Sequence, residues 1–530
     1  MTLIAFLVLG IYSVSLLYIT VYCLLQFNLL YHYQREPVGE VAPLPGLTAL
    51  TPLPETRRTA AAYAAAGDTA FSRVPETSAE AGGDQTPFVT VQLPVYNEFY
   101  VAGRLIDAVT AFDWPRDRFE IHVLDDSTDE TVSVIAGKVA EYRKQGFQIR
   151  QIRRGDREGY KAGALRDATP EARGEFIAIF DADFLPHADF LRQTIPYFSD
   201  PEVGVVQSRW EHLNEKYSLI TRLQAMQLNV HFTVEQTGRM NGGHLLQFNG
   251  TAGVWRREAI EAGGGWQPDT LTEDLDLSIR AQLAGYRIQF LERVASPAEL
   301  PVEMNSFKSQ QHRWMKGGAE TARKMLPHVW RSSLGLSHKI HATAHLLASS
   351  IFLFVFVCAV FSVPLLFLLG ELAEYGISKN FFAGFLAGLL SVIGVYYVAN
   401  VKSPANRDRH FFRSLLRFLG LFPLFLALSM GLSLHNSIAV IQGYRGKRSP
   451  FVRTPKFNIN SASDKFRTKR YFSGRLNAIT VGEGILAVYF LGAVISAFYL
   501  QNTTFVVFHA LLALGYGTIC YYSVKHLRSA

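Results

Sequence analysis

Four short runs in this chain hold the side chains best suited to chemistry. They are Asp125-Asp126-Ser127-Thr128-Asp129, Asp181-Ala182-Asp183, Thr272-Glu273-Asp274 and Gln310-Gln311-His312-Arg313-Trp314. Carboxylates at i and i+2 just after a strand can converge on one hard cation, so Asp181 and Asp183 suit Mg2+ or Mn2+ bridging a diphosphate. A divalent ion there would neutralise charge building on a nucleoside-diphosphate leaving group. Asp274 suggests different work, because a carboxylate near a metal but not on it can act as general base toward a sugar hydroxyl. Trp314 offers an aromatic face to a sugar ring, and Arg313 a charge for phosphate or a neighbouring carboxylate. Each feature also has a plainer reading. Acids after strands commonly cap helices, with Thr272 a candidate cap, and a Trp beside a membrane often anchors at the interface.

For these runs to meet, a sheet must bring several loop starts together. From Phe88 onward, short β-rich runs (FVTVQL, FEIHVL, FIAIF, VGVVQS, RIQFL) alternate with helical stretches. The alternation predicts βαβ units around a mostly parallel sheet, a fold class whose ligands bind at the carboxyl ends of strands. FEIHVL runs directly into Asp125 and FIAIF into Asp181, while EDLDLSIRAQL opens a helix on Glu273 and Asp274.

The composition accounts for what lies outside this body. The 530 residues are 49% hydrophobic and 18% charged, too apolar for a disordered chain. Three cysteines, Cys23, Cys358 and Cys520, lie far apart in apolar runs and form neither a disulfide framework nor a zinc spacing. Residues 2–34 carry no charged side chain and are long enough to span a bilayer, and the run lacks the basic start of a cleaved signal peptide. Further charge-free stretches lie at 340–370, 380–401, 418–444 and 484–524, the last interrupted by Gln501, Asn502, Thr503 and Thr504. Segments 402–417 and 445–475 carry five and ten Lys/Arg against one acid each, so both are expected on the cytoplasmic side. Both can be cytoplasmic only if 413–441 lies flat in the interface as an amphipathic helix. Five crossings remain, at 3–31, 342–370, 381–401, 484–500 and 505–524, with the N-terminus outside and 32–339 a cytoplasmic body. The formal charge of +7 thus concentrates on one membrane face.

Read in order, the motifs spell D…DxD…[TE]D…QxxRW. The chain resembles the processive inverting family 2 glycosyltransferases of the cellulose-synthase superfamily, with closer similarity to the plant cellulose-synthase-like mannan and glucan-backbone synthases. The runs VLDDSTD, GYKAGAL, AIFDADF, HFTVEQ, FNGTAGVWR, AGGW and QQHRW carry the resemblance through roughly 88–330. SPFVRTPKF at 449–457 is similar to the family's FxVTxK gating loop, with Arg453 where the family has Val. The resemblance implies a Rossmann-like GT-A domain at 87–300, after a transmembrane helix at 1–34 and a linker at 35–86. Interface helices at 301–339, two transmembrane helices at 340–401 and an interface helix at 402–444 would follow. A gating-like loop at 445–475 and two transmembrane helices at 484–524 would complete the chain.

It also implies roles. Asp125 and Asp126 would contact the nucleotide, Lys161 would approach the phosphates, and Asp181 and Asp183 would hold Mg2+ or Mn2+ at the donor. Asp274 would be the catalytic base. Gln310, Arg313 and Trp314 would form the donor and acceptor platform, with Asn249, Gly250, Thr251 and Glu273 at the acceptor site. Phe451, Thr454 and Lys456 would close over bound donor. The expected activity is polymerisation of a hexose from GDP-mannose or UDP-glucose into a β-linked, β-1,4 by resemblance, polysaccharide passed through the bilayer. Transfer of a single sugar to a lipid is the alternative. The expected partners are the donor, the growing chain and the bilayer, with no nucleic acid. The membrane would be the inner one in a prokaryote and the Golgi in a eukaryote.

Overall fold

The computed structural model describes residues 2–35, 86–377, 386–403, 410–447, 449, 452–459, 464 and 477–527. Nearly all of the expected linker, much of the gating-like segment and Phe451 lie outside the described residues. The first helix, α1 (Thr2–Tyr33), is followed by a domain built on one seven-stranded sheet. Its strands are β1 (Val89–Val95), β2 (Phe119–Asp125), β3 (Ile149–Ile152), β4 (Phe176–Ile179), β5 (Val203–His212), β6 (Gly253–Arg256) and β7 (Arg287–Ala298). They lie in the order β3-β2-β1-β4-β6-β5-β7. All neighbours pair in parallel except β6, which runs antiparallel to both β4 and β5. The five expected strands all form, and β3 and β6 are additions.

Strands β1, β2 and β4 are buried almost throughout, as a parallel sheet covered on both faces requires. Helices α2 (Ala102–Thr110) and α3 (Thr131–Lys144) bring Leu105, Ile106, Val109 and Ile135 into the core with Val89, Val91 and Leu93. Alternate residues of β4 point to a second core. There Ile177 and Ile179 join Leu165 of α4 (Tyr160–Ala168), Trp255 of β6 and, further along, Leu277. Burying side chains of this size contributes about 2 kcal/mol each. The order reverses around β1, leaving a crevice at the carboxyl ends of β1 and β4, where ligands bind in such sheets.

Helix α5 (Phe190–Thr194) precedes β5, and α6 (Leu219–Val230) follows it. A turn of π-helix, His231–Glu235, leads into α7 (Gln236–Asn241). Then come α8 (Arg257–Ala262), α9 (Glu273–Leu283) and the long α10 (Met304–Arg331). Glu303 starts α10 firmly, its carboxylate accepting from the backbone N–H groups of Asn305 and Ser306 at 3.0 Å.

The expected crossing at 342–370 resolves into two helices. The first, α11 (Leu336–Leu346), buries Ala342 and Leu346 with Leu245 and Leu275 of the sheet domain and Met325 of α10. Only α12 (Ile351–Ala373) is left to span, and hydropathy alone could not see the division. Next come α13 (Leu386–Tyr397), α14 (Phe411–Gly431), α15 (Ser433–Tyr444), α16 (Ala478–Tyr499) and α17 (Val506–Leu527).

Five described helices are long and apolar enough to cross a membrane: Leu3–Tyr33, Ala348–Ala373, Phe411–Gly431, Ala478–Tyr499 and Val506–Leu527. Leu386–Lys402 is apolar but shorter. By length and composition, α14 therefore qualifies as a span where the charge pattern asks for an interfacial helix. Yet both flanks of the α14–α15 pair meet the sheet domain or α10. Arg417 pairs with Glu215 at 2.5 Å near the start, and Gly443 packs against the Lys316 backbone near the end. Helix α16 begins before the charge-free run because Glu483, within it, is neutralised by Lys308 of α10 at 2.7 Å.

Candidate active site

The crevice holds a cavity of about 210 Å³. Its floor is the loop after β4, which carries Asp181 and Asp183. The Asp181 backbone N–H donates to Thr251 Oγ1 at 2.8 Å, which ties this loop to the one preceding β6. One lysine meets each carboxylate. Lys161, in the first turn of α4, reaches Asp181 and also donates to the Gly250 carbonyl at 2.9 Å. Lys456 reaches Asp183 at 2.6 Å. Burial pushes the Asp181 carboxyl above its usual range although Lys161 pulls it down. For Lys161, burial favours losing the proton, but Asp181 and Glu273 outweigh it and the ammonium is held above its ordinary value.

The Asp181–Asp183 pair suits a divalent cation. Both are hard oxygen donors opening on the cavity, and the structure already places a cation on each. Among the described residues no cluster of three or more His, Cys, Asp or Glu could hold a metal. The protein would thus supply two carboxylates and leave the remaining positions to phosphate and water, the usual arrangement for Mg2+.

The wall opposite is the start of α9. Glu273 and Asp274 fall in its first turn, where the helix dipole favours carboxylates. Thr272 holds the N-cap position without capping, because its hydroxyl pairs with Thr321 Oγ1 at 3.0 Å. Burial, and then the neighbouring Glu273, raise Asp274 to about 7. A carboxyl tuned there can take a proton near neutral pH. Gly250 makes the close approach possible: its φ is +81°, and a Cβ there would stand 3.0 Å from Asp274 Oδ2.

Helix α10 supplies Gln310, Arg313 and Trp314 to the same cavity. Arg313 donates to Thr454 Oγ1 at 3.2 Å, so the described segment 452–459 lies across the opening. Its Phe457 N–H donates to Glu299 Oε1 at 2.8 Å. Arg453, at the position where the resemblance expects Val, pairs with Glu98 at 2.9 Å. Burial pushes Glu98 up to about 7 against the pull of that arginine.

Most expected site residues therefore converge. Asp126, Lys161, Asp181, Asp183, Asn249, Gly250, Glu273, Asp274, Gln310, Arg313, Trp314, Thr454 and Lys456 all line the cavity. Asp125 and Thr251 do not. Asp125 is 1% exposed and accepts from the Ser127 N–H at 2.9 Å and from Gln151 at 2.7 Å, so it shapes the loop that presents Asp126. Asp126 in turn is held by Arg154 at 2.6 Å. Thr251 acts through the Asp181 backbone.

Several lining residues were not anticipated from the sequence: Tyr96, Glu98, Arg157, Trp210, His212 and Glu299. Arg157 stacks its guanidinium 3.3 Å from the centre of the Tyr96 ring. Glu98 and Glu299 follow the ends of β1 and β7, so the strand-end rule that singled out Asp181 applied to them as well.

Comparison with known proteins agrees with this geometry. Residues 86–317 match the family described as Glycosyltransferase like family 2. A probable glucomannan 4-beta-mannosyltransferase 11 of Arabidopsis thaliana is 42% identical over 258 residues, 48% of this chain and 58% of that protein. Glucomannan 4-beta-mannosyltransferase 1 of Oryza sativa subsp. japonica is 41% identical over 274 residues, 51% of this chain and 53% of that protein. The chain thus spans a little over half the length of these relatives. A mannosyltransferase from Pyrobaculum calidifontis, solved with GDP-Man and Mn2+, shares the fold at a TM-score of 0.51 and 18% identity, covering 83% of this chain and 100% of that one. Fold, site and likeness agree that residues 86–317 are a glycosyltransferase domain of family 2.

Proposed function

We propose that this chain is a membrane-embedded inverting hexosyltransferase that extends a β-linked, β-1,4 by likeness, polysaccharide from a nucleotide sugar and passes the product across the bilayer. One observation carries the reading: Asp181, Asp183, Asp274, Gln310, Arg313 and Trp314, from three separate stretches of sequence, line one cavity beside apolar helices. The names of the relatives favour GDP-mannose as donor and a mannose-containing chain as acceptor, with UDP-glucose the other donor to test.

Asp181 and Asp183 would hold Mg2+ or Mn2+, which neutralises charge on the departing diphosphate. The rest of the work falls to this chain's own residues. Asp126 and Lys161 bind the nucleotide and phosphates. Arg313 and Gln310 fix the donor, and Trp314 stacks on the acceptor sugar. Asp274 takes the proton from the acceptor hydroxyl as it attacks the anomeric carbon from the opposite face. Displacement of this kind inverts the centre and needs one base, without the second carboxylate that a retaining hydrolase uses as nucleophile. Thr454 and Lys456 belong to a segment that closes over bound donor and keeps water out. In the bilayer, α1, α12, α13, α16 and α17 cross, α14 and α15 return to the cytoplasmic face, and the catalytic body lies on that side. The membrane is the inner one in a prokaryote and the Golgi in a eukaryote.

The test supplies membranes holding the protein with GDP-mannose and UDP-glucose separately, each with Mg2+ or Mn2+. The product is sized and digested with linkage-specific hydrolases. Polymer that a β-mannanase degrades supports the reading. Absence of polymer from both donors refutes it, and one sugar on lipid refutes processive extension.

A further inference from the structure

The HFTVEQ run has no part in the mechanism above, yet the structure places it directly behind the acceptor side of the cavity. Residues His231–Glu235 form a π-helical turn between α6 and α7, a local geometry that recurs at functional sites. Its widened turn supports two cavity-lining residues at once. Phe232 stacks on Trp210 with ring centres 4.7 Å apart, and His231 Nε2 lies 2.7 Å from Oδ1 of Asn249. The other ring nitrogen, Nδ1, lies 2.9 Å from Glu235 Oε2. Glu235 is in turn flanked by Arg239, whose guanidinium is 4% exposed and 3.5 Å away.

These contacts give the Asn249 amide one orientation. Its Nδ2 donates to the Gln247 carbonyl at 3.4 Å, and its backbone N–H donates to Gln207 Oε1 at 2.9 Å. The amide oxygen therefore faces the ring. Glu235 and that oxygen are both acceptors, so the imidazole is held between an acceptor on each side. With Oδ1 committed, Asn249 has only amide N–H left to offer a ligand. Gly250, the next residue, is the one whose missing Cβ admits Asp274. The amide is thus one residue from the point where the base approaches.

We propose that the His231–Glu235 pair, braced by Arg239, is a positioning device for the acceptor: it pins the Asn249 oxygen so that the amide N–H receives an oxygen of the terminal sugar and orients its hydroxyl toward Asp274. The inference rests on the reading of the chain as a glycosyltransferase with Asn249 on the acceptor side, and adds three residues, His231, Glu235 and Arg239, to which that reading assigns no role. Burial would raise Glu235, but Arg239 and His231 overcome it and keep the carboxylate well below its usual range, as an anchor for the ring requires.

The experiment is steady-state kinetics on the full chain in nanodiscs, with GDP-mannose and an added β-1,4-linked manno-oligosaccharide. His231→Phe should raise the KM for the oligosaccharide about tenfold and move the KM for GDP-mannose by less than about twofold, the size expected for one lost hydrogen bond. His231→Gln, whose amide can still donate to Asn249, should restore most of the loss. Asn249→Ala should match His231→Phe, and the double variant should be no worse than Asn249→Ala alone. Glu235→Gln should give a smaller rise of the same kind, and serves where His231→Phe does not fold. Donor and acceptor KM moving together, or losses that multiply in the double variant, would overturn the proposal. An unmodified protein that transfers nothing from GDP-mannose or UDP-glucose overturns the glycosyltransferase reading itself. Active wild type with unaltered variants overturns only this inference.

Discussion

Lys456 Nζ stands 2.6 Å from Oδ2 of Asp183, a contact between residues 273 positions apart in the chain. With Lys161 on Asp181, the two carboxylates proposed to hold a divalent cation each carry an internal cation. A metal that binds without donor must compete with these ammonium groups. Lys456→Met should therefore tighten Mn2+ binding in the absence of nucleotide sugar, by about tenfold if the displaced pair is worth about 1.4 kcal/mol. Titration of the free Mn2+ signal by electron paramagnetic resonance measures this. Equal or weaker binding in the variant would remove the competition argument.

Asp274 sets the expected pH dependence. Its carboxyl is raised to about 7 by burial and then by Glu273, so below that pH it is protonated and cannot accept the acceptor's proton. Turnover should rise about tenfold per unit up to pH 7 and level off above it. Glu273→Gln removes the second cause but not the first, so the rise should move to lower pH without returning to that of an exposed aspartate. Asp274→Asn should cost about 10³-fold in turnover and abolish this limb of the profile. A variant retaining wild-type rates would exclude Asp274 as the base.

Gly250 is a second sensitive point, for steric reasons. Gly250→Ala forces a side chain into a left-handed backbone at φ +81° and sets its Cβ 3.0 Å from Asp274 Oδ2. The strain should cost about 1–2 kcal/mol of stability and at least about tenfold in turnover. Thermal melting alongside the assay separates the two effects. Normal turnover would show that the approach of the two residues is looser than described.

The Lys308–Glu483 pair offers a test of the joint between α10 and α16. Lys308 is 7% exposed and Glu483 fully buried, with 2.7 Å between the charged atoms. Removing one partner strands a buried charge, so Glu483→Ala should destabilise the protein by about 3–5 kcal/mol. Replacing both, Lys308→Met with Glu483→Leu, should recover most of that loss. Unfolding in detergent followed by denaturant titration decides the matter, and additive losses would count against the pair as described.

Much of this arrangement is legible in the sequence because the sheet obeys simple rules. Strands buried on both faces appear as apolar runs, and each runs straight into the residues it presents. The rules fail where the elements are short or depend on distant partners. Ile149–Ile152 carries Arg150 and Gln151 because β3 is an edge strand paired on one side. Gly253–Arg256 has only four residues and begins on glycine. Residues 342–346 continue the charge-free run that leads into the span, and only the partners Leu245, Leu275 and Met325 show that they pack against the sheet domain and α10. Asp125 could not be told from Asp126 in the sequence; Gln151 and the Ser127 N–H, which claim its carboxylate, are known only from the fold.

The reversed strand β6 also orders the assembly of the site in time. Its antiparallel neighbours β4 and β5 end at the cavity, whereas β6 begins there, so the loop that leads into it delivers Asn249, Gly250 and Thr251 beside Asp181. The slot it fills lies between β4 and β5, both made earlier by the ribosome. Until Gly253–Arg256 emerges and docks, those two strands present unpaired edges to each other, and such edges attract wrong partners during synthesis. The strand that joins β4 to β5 therefore sets the loop beside Asp181 before α9 and α10 bring the remaining lining residues. A nascent chain stalled before β6 would hold Asp181 and Asp183 with residues 249–251 not yet fixed beside them and the core unfinished.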